Sequence, residues 1–234
     1  MLKLMLILLD YKMEDIMITY IFNGFDIKKH FGKRVSELFQ KDMKNYEKIV
    51  FIPGEFDDID KVKRYVLTDV SWFKEIGIDI KKVDILTSSM TKDDMINAIN
   101  NTDIIFIMGG DTRKQNIFLD KYNLKEIIKN FKKVVIGISA GAINLGSISL
   151  CSKDLLDGVE ETTIYNGIGR INYTIEPHFD INNLSLLNEE LYPLSNNIKI
   201  YGLPNDTGIR IVDDNYTIIE GNYYLIHNKK VKNL

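Results

Sequence analysis

Cysteine and histidine are scarce in this sequence. Its 234 residues include one cysteine, Cys151, and three histidines. A single cysteine excludes an internal disulfide and a cysteine-rich metal site, and it is typical of proteins in a reducing compartment. We therefore expect a cytoplasmic protein that is stabilised by an apolar core, for which 45% hydrophobic residues are sufficient.

A large excess of charge of one sign and long hydrophobic runs are also absent. Thirty Lys and Arg residues against 33 Asp and Glu residues give a net charge of −3, which provides no general attraction to nucleic acid. The apolar run at residues 4–9 follows a single lysine and meets Asp10 without a small-residue cleavage site. It is shorter than a signal-peptide core or a membrane span requires. We expect neither nucleic acid nor a membrane as a partner.

Repeats, Ser/Gly-rich linkers and long charge runs are not found either, which favours a single domain. The first strand-like segment of the repeating pattern lies at residues 18–22. We therefore predict that residues 18–234 form the domain and that residues 1–17 are a possible N-terminal extension.

Apolar strands alternate with amphipathic helices along most of the chain. The predicted strands lie at residues 18–22, 49–52, 82–86, 103–108 and 134–137. The predicted helices lie at residues 58–76, from residue 91, at residues 124–131 and from residue 140. This alternation indicates a parallel sheet with helices on both faces, and short strands after residue 198 predict antiparallel hairpins at its edge. The predicted fold is α/β, with three layers and a mostly parallel sheet.

The pentapeptide at residues 137–141 has the pattern Gly-x-Ser-x-Gly. It follows a predicted buried strand and precedes a predicted helix, which is the context of a nucleophile elbow. The glycines permit a tight turn, and the helix N-terminus favours negative charge beside Ser139. The alternative is a glycine-flanked turn whose serine only caps the helix. We predict that Ser139 is a nucleophile.

A serine nucleophile needs a general base, and each of the three histidines is a candidate. His30 lies in a basic surface segment, and His227 lies near a terminal hairpin turn. His178 follows Pro177 at the end of a strand-like run, where proline stops the strand and places the next residue at the rim of the sheet. His178 is therefore the predicted base.

Several of these motifs together resemble the peptidase E group, a serine peptidase family that includes cyanophycinase. The resemblance rests on Ser-Ala-Gly-Ala at residues 139–142, Gly-Gly-Asp-Thr at residues 109–112 and Pro-His-Phe at residues 177–179. It extends from about residue 18 to the C-terminus. It implies a class I glutamine amidotransferase-like fold and a Ser–His–acid peptidase that uses no metal and no cofactor.

The resemblance also nominates the acid that orients the histidine. In peptidase E an aspartate lies fifteen residues after the serine, a position that Asp154 occupies here. Asp157 matches the offset of the cyanophycinase glutamate, and Asp180 lies after His178 as glutamate lies after histidine in glutamine amidotransferases. We favour Asp154, then Asp157, then Asp180. The oxyanion would be bound by the N–H groups of Ala140 and of Gly110 in the upstream glycine pair.

The resemblance implies a short peptide substrate from which the N-terminal residue, in peptidase E aspartate, is released. A substrate carboxylate calls for an arginine. Arg113 follows the glycine pair and Arg170 precedes the histidine strand, so both are predicted to bind substrate. We expect the enzyme to act as a monomer or a homodimer.

Two other functions are compatible with the same motifs. An α/β-hydrolase esterase could carry the pentapeptide, and its histidine would lie late in the chain, which would nominate His227. A non-catalytic protein with this fold could bind a peptide or an amino acid without turnover. A glutamine amidotransferase is disfavoured because the nucleophile position is Ser139 rather than a cysteine.

Overall fold

The computed structural model describes residues 16–155, 158–205, 207–213 and 215–234. The strands of this part of the chain are β1 Met17–Phe22, β2 Lys48–Gly54, β3 Lys82–Ile85, β4 Ile104–Gly110, β5 Lys133–Ile138, β6 Ile148–Cys151, β7 Thr163–Asn166, β8 Thr174–Pro177, β9 Ile200–Leu203, β10 Gly208–Val212, β11 Asn215–Glu220, β12 Tyr224–His227 and β13 Lys230–Asn233. The helices are α1 Gly32–Met43, α2 Ile59–Glu75, α3 Lys92–Asn100, α4 Thr112–Lys121, α5 Lys125–Asn130, α6 Ala140–Leu145, the π-helix Leu186–Leu191 and α7 Tyr192–Leu194.

The central sheet has seven strands in the order β11-β10-β1-β5-β4-β2-β3. The strands from β1 to β3 in this order are parallel to their neighbours, while β10 and β11 join antiparallel beside β1. This confirms the predicted mostly parallel sheet. Since the carboxyl ends of parallel strands meet at one edge, the residues that follow β1, β4 and β5 come together there.

Alternate residues of the buried strands pack on opposite faces of the sheet, as the pleat of a strand requires. Val50 and Ile52 of β2 contribute to an apolar cluster with residues of α3, α4, α5 and α6. Ile49 and Phe51 contribute to a second cluster with residues of α1 and α2. Both faces of the sheet are therefore covered by helices, which gives the predicted three layers.

The helices predicted from residues 58 and 91 are present, and a capping side chain precedes each of them. The Asp58 carboxylate accepts a hydrogen bond from the Lys61 backbone N–H at 2.8 Å and caps α2. The Thr91 hydroxyl accepts one from the Asp94 N–H at 3.2 Å and caps α3. Each side chain satisfies a backbone donor that the first helical turn leaves unpaired.

The C-terminal strands correct part of the prediction. The hairpin of β10 and β11 completes the edge of the central sheet, as expected. However, β12 belongs to a second sheet, in the order β13-β12-β9-β8, because it pairs with β9 instead. This second sheet has its own apolar cluster and includes β8, after which His178 follows.

The predicted N-terminal extension lies mostly outside the described residues, which begin at Ile16, and Met17 is the first residue of β1. No helix of the described residues combines the length and the apolar composition that a membrane span requires.

Candidate active site

Ser139 lies in a strained turn between β5 and α6. Its backbone has φ 47° and ψ −107°, a conformation that a residue with a side chain rarely adopts. The Ser139 N–H donates to the Phe22 carbonyl at 2.9 Å, which ties the turn to the end of β1. The serine side chain does not cap the helix. The turn therefore has the geometry of a nucleophile elbow, and the capping alternative does not describe it.

The two glycines of the pentapeptide are required by packing around this turn. A Cβ atom on Gly141 would lie 2.2 Å from the Ile107 carbonyl oxygen. One on Gly137 would lie 2.5 Å from Cδ1 of Leu145. The absence of side chains allows α6 to approach β4 and β5 closely, and this approach fixes the position of Ser139.

His178 is the histidine that meets the serine. Its Nε2 lies 3.2 Å from Ser139 Oγ. His178 follows the end of β8 and has φ 55°, so the chain leaves the strand as it reaches this residue. His30 instead contacts Glu75 at 2.6 Å, and His227 lies in β12 opposite Lys230. The structure therefore brings together the predicted nucleophile and the predicted base.

The partner of the other ring nitrogen corrects the predicted triad. His178 Nδ1 lies 2.9 Å from Oδ1 of Asn205, which follows β9 and Pro204. A ring nitrogen has a single hydrogen or lone pair, so this contact takes the place that was assigned to Asp154.

The three aspartates considered from sequence have other positions. Asp154 lies in the loop between β6 and β7, where its backbone pairs with Val159, and it lines the active-site cleft. Asp157 lies outside the described residues. Asp180 accepts hydrogen bonds from the backbone and side-chain amides of Asn182 at 2.9 and 3.0 Å. Sequence reasoning missed Asn205 because it searched for a carboxylate and predicted no strand at residues 200–203, after which Pro204 and Asn205 follow.

Asn23 connects the loop of Asn205 to the loop of Ser139. Its Nδ2 donates to the Leu203 carbonyl at 2.7 Å and also to the Pro204 carbonyl, the two carbonyls that precede Asn205. Asn23 is buried and follows Phe22, whose carbonyl holds Ser139. Two adjacent residues at the end of β1, Phe22 and Asn23, therefore tie together the two loops that approach His178.

The glycine pair lies beside the serine. A Cβ atom on Gly109 would be 3.6 Å from Ser139 Cβ. Gly110 has φ +129°, and a Cβ atom there would be 2.8 Å from the Gly54 carbonyl carbon, so only glycine fits. Gly110 and Ser139 line one cleft, and Ala140 is the first residue of α6. The two predicted oxyanion-binding residues are thus adjacent to the nucleophile.

A cleft of about 1300 Å³ contains Ser139 and His178, and Arg113 of α4 lies on its wall. The prediction for Arg170 was wrong. This residue is buried, and its guanidinium donates to the Ile128 and Phe131 carbonyls at 2.9 and 2.7 Å. Burial lowers the pKa of Arg170 to about 10. Arg170 therefore joins the end of α5 to the sheet and does not reach the cleft.

Glu176, two residues before His178, is a buried carboxyl group on the wall of the same cleft. Its two oxygens lie 2.6 and 2.5 Å from the hydroxyl of Ser152. Burial raises the pKa of Glu176 to about 7, the hydrogen bond from Ser152 opposes this shift, and nearby Asp154 adds to it. The described residues contain no group of three His, Cys, Asp or Glu side chains placed to hold a metal ion.

Comparisons with known proteins agree on the family and the fold. The sequence model of peptidase family S51 matches residues 22–219. The crystal structure of a peptidase from an acI-B1 Actinobacterium has a TM-score of 0.69 and 13% identity, over 96% of each chain. A 1.5 Å crystal structure of a Listeria monocytogenes EGD-e protein assigned as peptidase E has a TM-score of 0.62 and 18% identity, over 87% of this chain and 98% of that one. No curated protein sequence matches at a significant level.

Proposed function

Since the chain belongs to peptidase family S51 and is a serine peptidase, we propose that it hydrolyses short peptides and releases their N-terminal residue. Ser139 is the nucleophile in this proposal, His178 is the general base and Asn205 orients the base. The observation that carries the proposal is the chain of contacts from Ser139 Oγ to His178 Nε2 at 3.2 Å and from His178 Nδ1 to Asn205 Oδ1 at 2.9 Å.

The amide of Asn205 determines which histidine nitrogen can accept a proton. Its Oδ1 is an acceptor only, so the hydrogen of the contact belongs to His178 Nδ1. The unprotonated nitrogen is then Nε2, which faces the serine hydroxyl. This tautomer takes the serine proton as the oxygen attacks, and the neutral amide holds the ring in place.

The reaction then follows the usual two steps of a serine peptidase. Ser139 Oγ attacks the peptide carbonyl carbon, and the negative charge that develops on the carbonyl oxygen is bound by the N–H groups of Ala140 and Gly110. The imidazolium of His178 donates its proton to the leaving amine as the C–N bond breaks. Water, deprotonated by the same histidine, hydrolyses the acyl–serine ester and restores the enzyme.

Of the two arginines predicted from sequence, only Arg113 remains as a candidate to bind the carboxylate of an N-terminal aspartate. The other arginine that was expected to bind a substrate carboxylate, Arg170, is occupied by backbone carbonyls. Arg113 lies on the cleft wall and is exposed.

The test is hydrolysis of a panel of dipeptides by the wild type and by Ser139→Ala, without added metal. Ser185→Ala is a matched control, because Ser185 also lines the cleft and is exposed but does not contact His178. We expect hydrolysis that is lost in Ser139→Ala and retained in Ser185→Ala. Equal hydrolysis by Ser139→Ala and the wild type would overturn the proposal, as would binding without hydrolysis of any peptide.

A further inference from the structure

The catalytic cleft is acidic, although the chain as a whole is close to neutral with a net charge of −3. Among the described residues, the cations that line the cleft are Arg113 and Lys153. The acidic residues that line it are Asp111, Asp154, Glu160, Glu161, Glu176, Glu189 and Glu190. A cleft whose walls carry charge of mostly one sign concentrates ligands of the opposite sign.

Most of these acidic residues form no ion pair with another described residue. The ion pairs between described residues include none formed by Asp111, Glu160, Glu161, Glu176, Glu189 or Glu190. A substrate carboxylate would therefore enter a region of negative potential, whereas an ammonium or guanidinium group would gain from it.

A second observation concerns Glu176 alone and does not depend on how many acidic residues line the cleft. This residue is 6% exposed and lies on the cleft wall. The hydrogen bonds of its side chain within the described residues come from the Ser152 hydroxyl, which has one proton for two carboxylate oxygens. Nearby Asp154, itself an acid, adds to the rise in the pKa of Glu176, and no ion pair between the described residues includes Glu176. A buried carboxylate in such surroundings is stabilised by any cation that reaches it.

We propose that Glu176 binds a positively charged group of the substrate, an ammonium or a guanidinium, and that the cleft thereby selects basic peptides over acidic ones. The inference rests on the proposed function, because it assigns the substrate class of the Ser139 site. Glu176 and His178 are two positions apart along the chain, so their Cα atoms are at most about 7 Å apart, the spacing in an extended strand. A charged group near the scissile bond of a peptide bound at Ser139 is within this range.

The charge could belong to the substrate's α-ammonium or to a Lys or Arg side chain, and three dipeptides separate these sources. Lys-Ala and Met-Ala have first residues of similar length and differ in side-chain charge. N-acetyl-Met-Ala lacks the α-ammonium. Each is compared in the wild type, in Glu176→Gln, which keeps the shape of the side chain, and in Glu37→Gln, a control on α1 outside the cleft.

We expect the wild type to have a kcat/KM at least about tenfold higher for Lys-Ala than for Asp-Ala. Glu176→Gln should remove most of this preference, and Glu37→Gln should retain it. A loss that is confined to Lys-Ala identifies the side chain as the bound group. An equal loss for Lys-Ala and Met-Ala, with none for the acetylated peptide, would show that Glu176 binds the α-ammonium. Because Asp-Ala carries the same group, this result would overturn the selection of basic peptides by Glu176.

A preference for Asp-Ala, or a preference for Lys-Ala that Glu176→Gln leaves unchanged, would overturn the inference while Ser139-dependent hydrolysis continued. A binding experiment covers the case in which no peptide is hydrolysed and the proposed function fails. Titration calorimetry of Ser139→Ala with Lys-Ala and Asp-Ala should show tighter binding of Lys-Ala, reduced by the added Glu176→Gln change. Equal binding of the two peptides would overturn the inference independently of catalysis.

Discussion

At the scale of single residues, the unexpected feature is an amide beside His178, the proposed general base. Asn205 accepts from His178 Nδ1 as a carboxylate would, but it has no negative charge to stabilise the imidazolium. The amide can therefore select the tautomer of the ring without the electrostatic contribution that an aspartate adds.

This difference predicts opposite effects for two substitutions of Asn205. Asn205→Ala should lower kcat/KM by about a hundredfold, because the ring loses its orientation. Asn205→Asp should retain activity and move the acid limb of the pH–activity profile to higher pH, because a carboxylate favours the protonated ring, which cannot act as base. Profiles of the wild type and both variants from pH 5 to 9 check this. An unchanged activity of Asn205→Ala would exclude the orienting role.

Glu176 predicts a pH-dependent effect on stability. Burial raises the pKa of this carboxyl group from its ordinary value of 4.5 to about 7 in the folded protein, so the folded state binds the proton more tightly than the unfolded state does. The resulting stabilisation is complete below about pH 4.5 and is lost as the pH rises through 7. Glu176→Gln lacks this loss, so its free energy of unfolding relative to wild type should rise between pH 5 and pH 8, by at most roughly 3 kcal/mol. Urea denaturation at both pH values measures the change, and a constant difference would contradict it.

A site residue can be identified from sequence when the residues next to it in the chain form a recognisable pattern. Ser139 and His178 were predicted because a pentapeptide and a strand end describe their surroundings. Asn205 was not considered from sequence and Arg170 was wrongly expected in the cleft, since the contacts of both join residues that are distant in the chain. The Arg170 guanidinium, for example, contacts Thr19 Oγ1, which is 151 positions away.

At the scale of secondary structure elements, the close approach of α6 to β4 positions the nucleophile. Gly141→Ala would place a Cβ atom 2.2 Å from the Ile107 carbonyl oxygen, which belongs to the rigid backbone of the sheet. We expect a loss of about 2 kcal/mol or more in the free energy of unfolding, together with reduced kcat. Gly24→Ala is the matched control, because no atom lies within 4 Å of its added Cβ, and its effect should stay within about 0.5 kcal/mol. Equal effects of the two substitutions in chemical denaturation would contradict this account of the elbow.

The end of β1 should affect catalysis through Asn23, a positioning residue. Asn23→Ala leaves the Leu203 carbonyl without this donor and releases the loop that holds Asn205. We expect kcat to fall about tenfold with little change in KM, because the base loses its orientation while the cleft wall is preserved. If Asn23 acts through Asn205, the double variant with Asn205→Ala should be no less active than Asn205→Ala alone. Additive losses in kcat would show that Asn23 acts independently.

The helices and strands themselves were largely predictable from the sequence, whereas the pairing of the strands was predictable only in part. Apolar strands such as β2 and β4 are evident from composition, and the capping residues Asp58 and Thr91 mark two helix starts. The placement of β12 was wrong because a short antiparallel strand carries no local signal for its partner, and β9 outcompetes the edge of the central sheet.

At the scale of the whole molecule, the net charge does not show where the charged side chains lie. A net charge of −3 gives no indication that acidic side chains gather around Ser139, because most of them come from the segment between β6 and β7 and from residues near the π-helix. The sequence therefore predicted the fold and the proximity of Ser139 and His178, whereas the charge of the cleft depends on how distant loops assemble.

The central claim is that Ser139 and His178 act as one catalytic unit, and a double-variant kinetic cycle tests it most directly. We predict that Ser139→Ala and His178→Ala each lower kcat/KM for the best dipeptide by about 10³-fold or more, and that the double variant is no worse than either. His227→Ala is the control histidine and should match the wild type. An active His178→Ala enzyme, or a multiplicative loss in the double variant, would contradict the account.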